Sequence, residues 1–173
     1  MIIEGLITFL GLIIGLFIGK YTKGEIKSGK KYFSFSYRIV LFFLFLISLY
    51  FAWYANIFHF LLAFVAGMIF SIGIKNIYFY LGLLFVLSFW GNETFFFIVA
   101  TLIFIFGIIH GGLIIEKFSR VKNIRNKIIN SLILFAIPFI LIYFKDFALN
   151  TSYILFAFIS GAIFLKFIKK LNL

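Results

Sequence analysis

Short polar breaks divide this chain into apolar runs at 2–19, 39–55, 57–74, 77–90, 95–115, 128–144 and 151–165. Most approach the roughly 20 residues that a helix needs to cross a bilayer. A water-soluble domain could not use them: 65% of the 173 residues are hydrophobic, 12% are charged and 29 are Phe. A soluble fold of this size leaves too much of its chain facing water to hide that many large side chains. Lipid as solvent removes the difficulty, and the mean hydropathy of +1.21 agrees. The expected fold class is an all-α integral membrane protein with seven transmembrane helices. The fourth run, 77–90, falls below the usual spanning length. It either crosses, by tilting little, thinning the bilayer locally or borrowing its flanking residues, or is re-entrant; a crossing is the favoured expectation.

The third run returns near the end of the chain. Residues 56–70 and 150–164 align without a gap at a spacing of 94: Asn56 with Asn150, Leu61 with Leu155, Ala63-Phe64 with Ala157-Phe158, Gly67 with Gly161, and Ile69-Phe70 with Ile163-Phe164. The same shift pairs Ser36 with Asn130, Phe45 with Phe139 and Tyr50 with Phe144. A slightly larger one pairs Gly11 with Gly107 and Gly15 with Gly111. A spacing held over several segments marks an internal repeat. The halves are a first three-helix unit, 1–75, with a basic loop at 20–38, and a second, 92–173, joined by a linker helix at 76–91. Three helices is an odd number, so one extra crossing gives both halves the same orientation. The expected repeat is therefore 3+1+3 and parallel, about an axis along the membrane normal. This plan resembles that of the SWEET sugar transporters, which also place the N-terminus outside. The likeness is one of helix plan: the Pro-Gln pair typical of that family's repeats is absent, and Pro138 has no counterpart in the first half.

Charge sets the expected orientation. The net charge is +11, and 15 of the 16 Lys and Arg fall in alternate connections: 20–38, Lys75, 116–127 and the C-terminal lysines. Lys145 is the exception. Basic connections stay in the cytoplasm, so a multi-pass protein of the cell membrane is expected, with its N-terminus outside and its C-terminus cytoplasmic. The asymmetry holds only if 77–90 crosses. A net charge this high in a soluble protein would point to nucleic acid, but here no charged folded surface is left to bind one. The expected partners are membrane lipids, anionic headgroups at the inner face, and other membrane subunits or further copies of the chain. The first run lacks a basic start and an Ala-x-Ala-like site, so it does not read as a signal peptide. With no cysteine there are no disulfides and no thiolate chemistry.

Glycines and rare polar groups are the candidates for function. Gly11-x-x-x-Gly15-x-x-x-Gly19 makes a smooth ridge that lets a second helix approach closely. Ionisable groups within spans are costly and tend to serve function, which singles out Glu4 and His110, the latter followed by Gly111. Pro138 would kink the sixth helix. Asn56 and Asn150 read as equivalent helix caps. These six residues are the candidates for a substrate path between the halves. Lys23, Lys27, Lys30, Lys31, Arg120 and Arg125 are the candidates for contact with lipid or phosphate. His59 and His110 fall near opposite faces, and no ligand-spaced cluster of His, Asp and Glu exists. Neither a metal nor a cofactor is expected. No hydrolase, zinc-protease or phosphate-loop pattern occurs, so an enzyme is the less favoured class. The leading expectation is a small transporter or permease-like bundle. The alternatives are a non-catalytic membrane subunit and an inner-face enzyme acting on a lipid phosphate, with Glu25 or Glu116 as base.

The cysteine-free chain makes the orientation easy to test. Single cysteines replacing Lys30 and Arg120 are expected to react with a membrane-impermeant maleimide from the same side of sealed vesicles, and one replacing Glu93 from the other. Reaction of Lys30→Cys and Arg120→Cys from opposite sides would require the halves to be inverted instead.

Overall fold

Inside lipid an unpaired backbone group costs several kcal/mol, so an apolar chain satisfies its own amides by coiling into helices. The computed structural model, which describes residues 2–117 and 121–171, is helical almost throughout, and no strand occurs among the described residues. In chain order it contains α1 (Ile2–Tyr21), α2 (Lys23–Ala52), α3 (Ile57–Gly73), α4 (Tyr78–Phe89), α5 (Glu93–Lys117), α6 (Val121–Ala136), a 3-10 segment (Ile137–Phe144), α7 (Lys145–Asn150) and α8 (Ser152–Leu171). Five helical stretches are long and apolar enough to cross a membrane: Ile2–Tyr21, Ser28–Ala52, Glu93–Ile115, Asn123–Asn150 and Ser152–Lys169. The chain thus has the character of a multi-pass membrane protein. Ile57–Gly73 and Tyr78–Phe89 are apolar but shorter.

Glycines decide which helices meet. A Cβ added at Gly11 would strike the carbonyl oxygen of Phe104, and one at Gly15 that of Ile108. From the other side, a Cβ on Gly107 would lie 2.6 Å from the Leu12 nitrogen, and one on Gly111 2.5 Å from the Leu12 oxygen. α1 and α5 therefore run parallel with their backbones in contact. α3 and α8 do the same: Gly67 faces the Phe158 carbonyl, and Gly161 faces the Phe64 carbonyl. This second seam is reciprocal, because each glycine and each carbonyl lies 94 positions from its counterpart. Such an exchange of partners is what a local two-fold axis produces.

α2 lies antiparallel across both seams. Phe51 meets Phe95 and Tyr37 meets Phe106 on α5, while Phe45 meets Phe164 and Phe42 meets Phe167 on α8. α4 occupies the middle. Residues Tyr80 to Ser88 are all buried, and its rings make a continuous stack with those around it. Phe9 joins Tyr78 and Phe135, Phe85 joins Phe135, Phe139 and Phe96, and Phe96 joins Phe89, at centroid separations of 5.1–5.8 Å. A helix that is apolar all round can lie in lipid or in a protein core, and α4 lies in the core. At about 1.5 Å per residue, its 12 residues reach only about 18 Å. Protein encloses its sides, so its length need not match the hydrocarbon.

Three local expectations change. The connection at 20–38 is not a loop: α1 turns at Thr22, whose hydroxyl donates to the Ile18 carbonyl at 2.8 Å, and α2 begins at Lys23. Lysine and glutamate are good helix formers, so the basic stretch simply extends the following helix. Pro138 does not kink an α-helix; it stands at the start of the eight-residue 3-10 segment, where its missing amide and its ring displace the α-helical pattern. Asn56 caps α3, accepting from the Phe58 amide at 3.0 Å. Asn150 ends α7 instead, and Thr151 separates it from α8.

Substitutions at the seam are expected to be costly. Gly67→Val would force α3 and α8 apart and lower the stability of the purified protein by about 1–3 kcal/mol, read as a fall in its unfolding midpoint in detergent. Gly24→Ala, where a new methyl meets open space, should leave the midpoint unchanged.

Candidate functional site at the basic end

Apart from Lys145 at the start of α7, the helix directions carry the described cationic residues to one end of the bundle: the start of α2, the ends of α1, α3, α5 and α8, and the start of α6. Of the buried polar side chains, Ser71, Asn76 and Ser131 lie just inside this end, whereas Thr8, Ser48 and Ser88 lie in the other half of the bundle. His110 of α5 sits among three rings, with centroids 5.6 Å from Tyr37, 5.6 Å from Tyr78 and 5.5 Å from Phe106. Tyr37 and Tyr78 are buried. Aromatic faces beside an imidazole hold it by ring–ring contact and carry a polar hydroxyl at their tips. Three helices thus bring the His110 imidazole and the rings of Tyr37 and Tyr78 together.

Next to them, Asn76 is buried and bonded through both its nitrogen and its oxygen. Its Nδ2 donates to Ser131 Oγ at 3.0 Å, and its Oδ1 accepts from the Tyr78 amide at 3.1 Å. The side chain thereby satisfies an amide at the start of α4 and ties that helix to α6. At the edge of the same layer, Lys166 Nζ donates to the Ser71 carbonyl at 2.6 Å and to the Ile74 carbonyl at 3.3 Å. These carbonyls lie at the C-terminal end of α3, where a cation is favoured by the partial negative charge. The Ser71 hydroxyl itself donates to the Ala162 carbonyl at 3.3 Å, another link along the α3–α8 seam.

The outer surface of α2 carries a different feature. Lys30, Lys31, Tyr32, Ser34, Phe35 and Arg38 line a groove of about 680 Å³. Lys31, Ser34, Phe35 and Arg38 fall three or four residues apart, hence on one face of the helix.

The six residues expected to form a substrate path are not brought together. Glu4 is exposed in the first turn of α1, and Asn56 and Asn150 are exposed at the same end of the bundle. His110 and Gly111 lie toward the opposite, basic end. Gly111 presses on the α1 backbone. Pro138 lies between these levels, lining an apolar groove of about 410 Å³ together with Phe70, Leu83 and Phe158. Among the lipid and phosphate candidates, Lys30 and Lys31 are exposed on α2 and Arg125 is exposed on α6. Arg120 lies outside the described residues, as do the side chains of Lys23 and Lys27. Sequence reasoning placed Arg38 and Lys166 at this end by charge, but it did not single out these two, Asn76 or Tyr78 as site residues. For Asn76 there was a signal: an asparagine just before an apolar run is a helix-start residue. No group of three or more His, Asp and Glu able to hold a metal ion occurs among the described residues. Neither a protein-family model, nor a curated protein, nor a solved structure matches this chain.

A double-mutant cycle on Asn76→Ala and Ser131→Ala is expected to give a coupling of about 0.6 kcal/mol, the usual size for a hydrogen bond between membrane helices. Unfolding midpoints in detergent would read it.

Proposed function

We propose that this chain is a seven-crossing protein of the cell membrane, with an outer N-terminus and a cytoplasmic C-terminus. Its two parallel three-helix halves, 1–75 and 92–173, are joined through the linker 76–91, and it acts as a non-catalytic membrane subunit. The gathering of Lys and Arg at one end supports the orientation. The alternating helix directions support seven crossings, and the reciprocal α3–α8 seam supports the repeat. The observation that carries the subunit reading is the state of the seams. A path between the halves would run along the glycine ridges. There the backbones touch so closely that a single added methyl would collide with a carbonyl group at Gly11, Gly15, Gly67 and Gly161. A site holding water needs room for at least one probe sphere and two to four polar partners.

Transport is the second reading, and one observation favours it. Parallel halves about a common axis are a plan that transporters use, and the groove beside Pro138 lies where α3 of one half meets α8 of the other. Its lining is apolar, so it suits a hydrophobic solute. For the third class, an enzyme on lipid phosphate, the support is thinner: Glu25 is exposed in the first turn of α2, away from the buried polar layer.

Cysteine accessibility separates the first two readings. Single Ser71→Cys and Ser160→Cys replacements, both at fully buried positions, should resist a membrane-impermeant maleimide in the folded protein and react after denaturation in SDS. Purification in a mild detergent should retrieve the chain within a larger assembly. Labelling at either position in the folded protein, together with solute flux in proteoliposomes, would overturn the subunit reading in favour of transport.

A further inference from the structure

The groove on α2 has the composition of a phosphate site and the depth of a lipid headgroup. Three cations, Lys30, Lys31 and Arg38, and the Ser34 hydroxyl line it, and no acidic residue among the described ones does. Arg38 is half-buried, and its Nε lies out of reach of solvent with no hydrogen-bond partner. The planar guanidinium fork matches an oxygen pair on phosphate. Depth follows from helix length. Trp53 and Tyr54, exposed rings at the far end of α2, mark one membrane boundary. A hydrocarbon layer of about 30 Å corresponds to about 20 residues from there, which reaches about the level of Phe33. Lys30 and Lys31 then stand among headgroups. Arg38 stands just inside the hydrocarbon, long enough to reach back. Tyr32 and Phe35, 76% and 61% exposed, flank the cations. Exposed rings beside a phosphate site gain nothing in water, but they seat well among headgroups.

We infer that this groove binds the phosphate of an anionic phospholipid in the leaflet at the basic end of the bundle, with Arg38 holding the phosphate oxygens and Lys30, Lys31 and Ser34 completing the cradle. A phosphomonoester carries more charge than a diester, so the site should prefer phosphatidic acid to phosphatidylglycerol and should ignore phosphatidylcholine. The inference concerns a ligand and stands whether the protein is a subunit or a transporter.

The test uses the purified full chain in neutral detergent, with native mass spectrometry counting bound lipid and a thermal unfolding midpoint read in parallel. Phosphatidic acid should bind saturably and raise the midpoint. Lys31→Gln and Ser34→Ala, both outside the core, should weaken binding, and Arg38→Gln should weaken it by at least about tenfold. Arg38→Lys, which keeps the charge but loses the fork, should restore binding only in part. Arg125→Gln, on the exposed face of α6, should leave binding as it was. Equal losses from Arg38→Gln and Arg125→Gln would mean diffuse attraction to a basic surface and would overturn the site. So would full rescue by Arg38→Lys, and so would displacement of the lipid by millimolar inorganic phosphate, which would make it a site for a soluble anion.

Discussion

Backbone contact at the glycine seams is the constraint on which the rest of this structure depends. Lipid tails are as apolar as leucine, so burying one apolar helix against another inside a membrane gains little by removing surface from solvent. Van der Waals packing must hold the helices, and it is strongest where no side chain keeps them apart. Gly11, Gly15, Gly107 and Gly111 let α1 and α5 touch along their length; Gly67 and Gly161 do so for α3 and α8. Two rigid parallel pairs result, and the other helices arrange themselves on them. α2 spans both pairs through phenylalanine rings, and the space left between the pairs and α6 has the width of one helix, which α4 fills.

Polar groups near the basic end follow a second rule of the same solvent. Leaving them unsatisfied is expensive, and some are given a partner on a neighbouring helix. Asn76 reaches from the start of α4 to Ser131 on α6, and Lys166 reaches from α8 to the carbonyls that end α3. The bonds therefore act between helices. They fix the start of α4 against α6 and the end of α3 against α8.

The helical, membrane-compatible character of the chain was legible because it is written in residue type: long apolar runs, one proline, and charges, Glu4 apart, kept to the connections and ends of the runs. The glycine pairing was legible for the same reason, since small residues are the only marker that a lipid-exposed helix gives of its packing face. Which face of the other helices is buried was not legible. Around α5 or α4 every side is apolar, so no periodicity separates lipid from protein. For that reason 77–90 read as a simple linker crossing when α4 is the most enclosed helix of all. Nothing in the run 32–38 separates Tyr37, buried against His110, from the exposed Tyr32 and Phe35 beside it. The helical course of 20–38 was missed through the habit of reading glycine and charge as loop, although Lys and Glu favour a helix. Arg38 closed a basic run in the sequence, and nothing there told that its guanidinium would be shielded while the lysines stayed open.

The enclosure of α4 has a consequence for how the molecule is made. Its sheath includes α5, α6 and α8, all of which lie later in the chain. When α4 leaves the ribosome these do not yet exist, and a rod of 12 residues is too brief to hold itself across a bilayer. Its final seat can form only once the C-terminal part has been synthesised, so the N-terminal part must wait beside the insertion machinery or in an open, partly wrapped form. Truncated versions of this protein would then lack the centre of the bundle as well as its last helices.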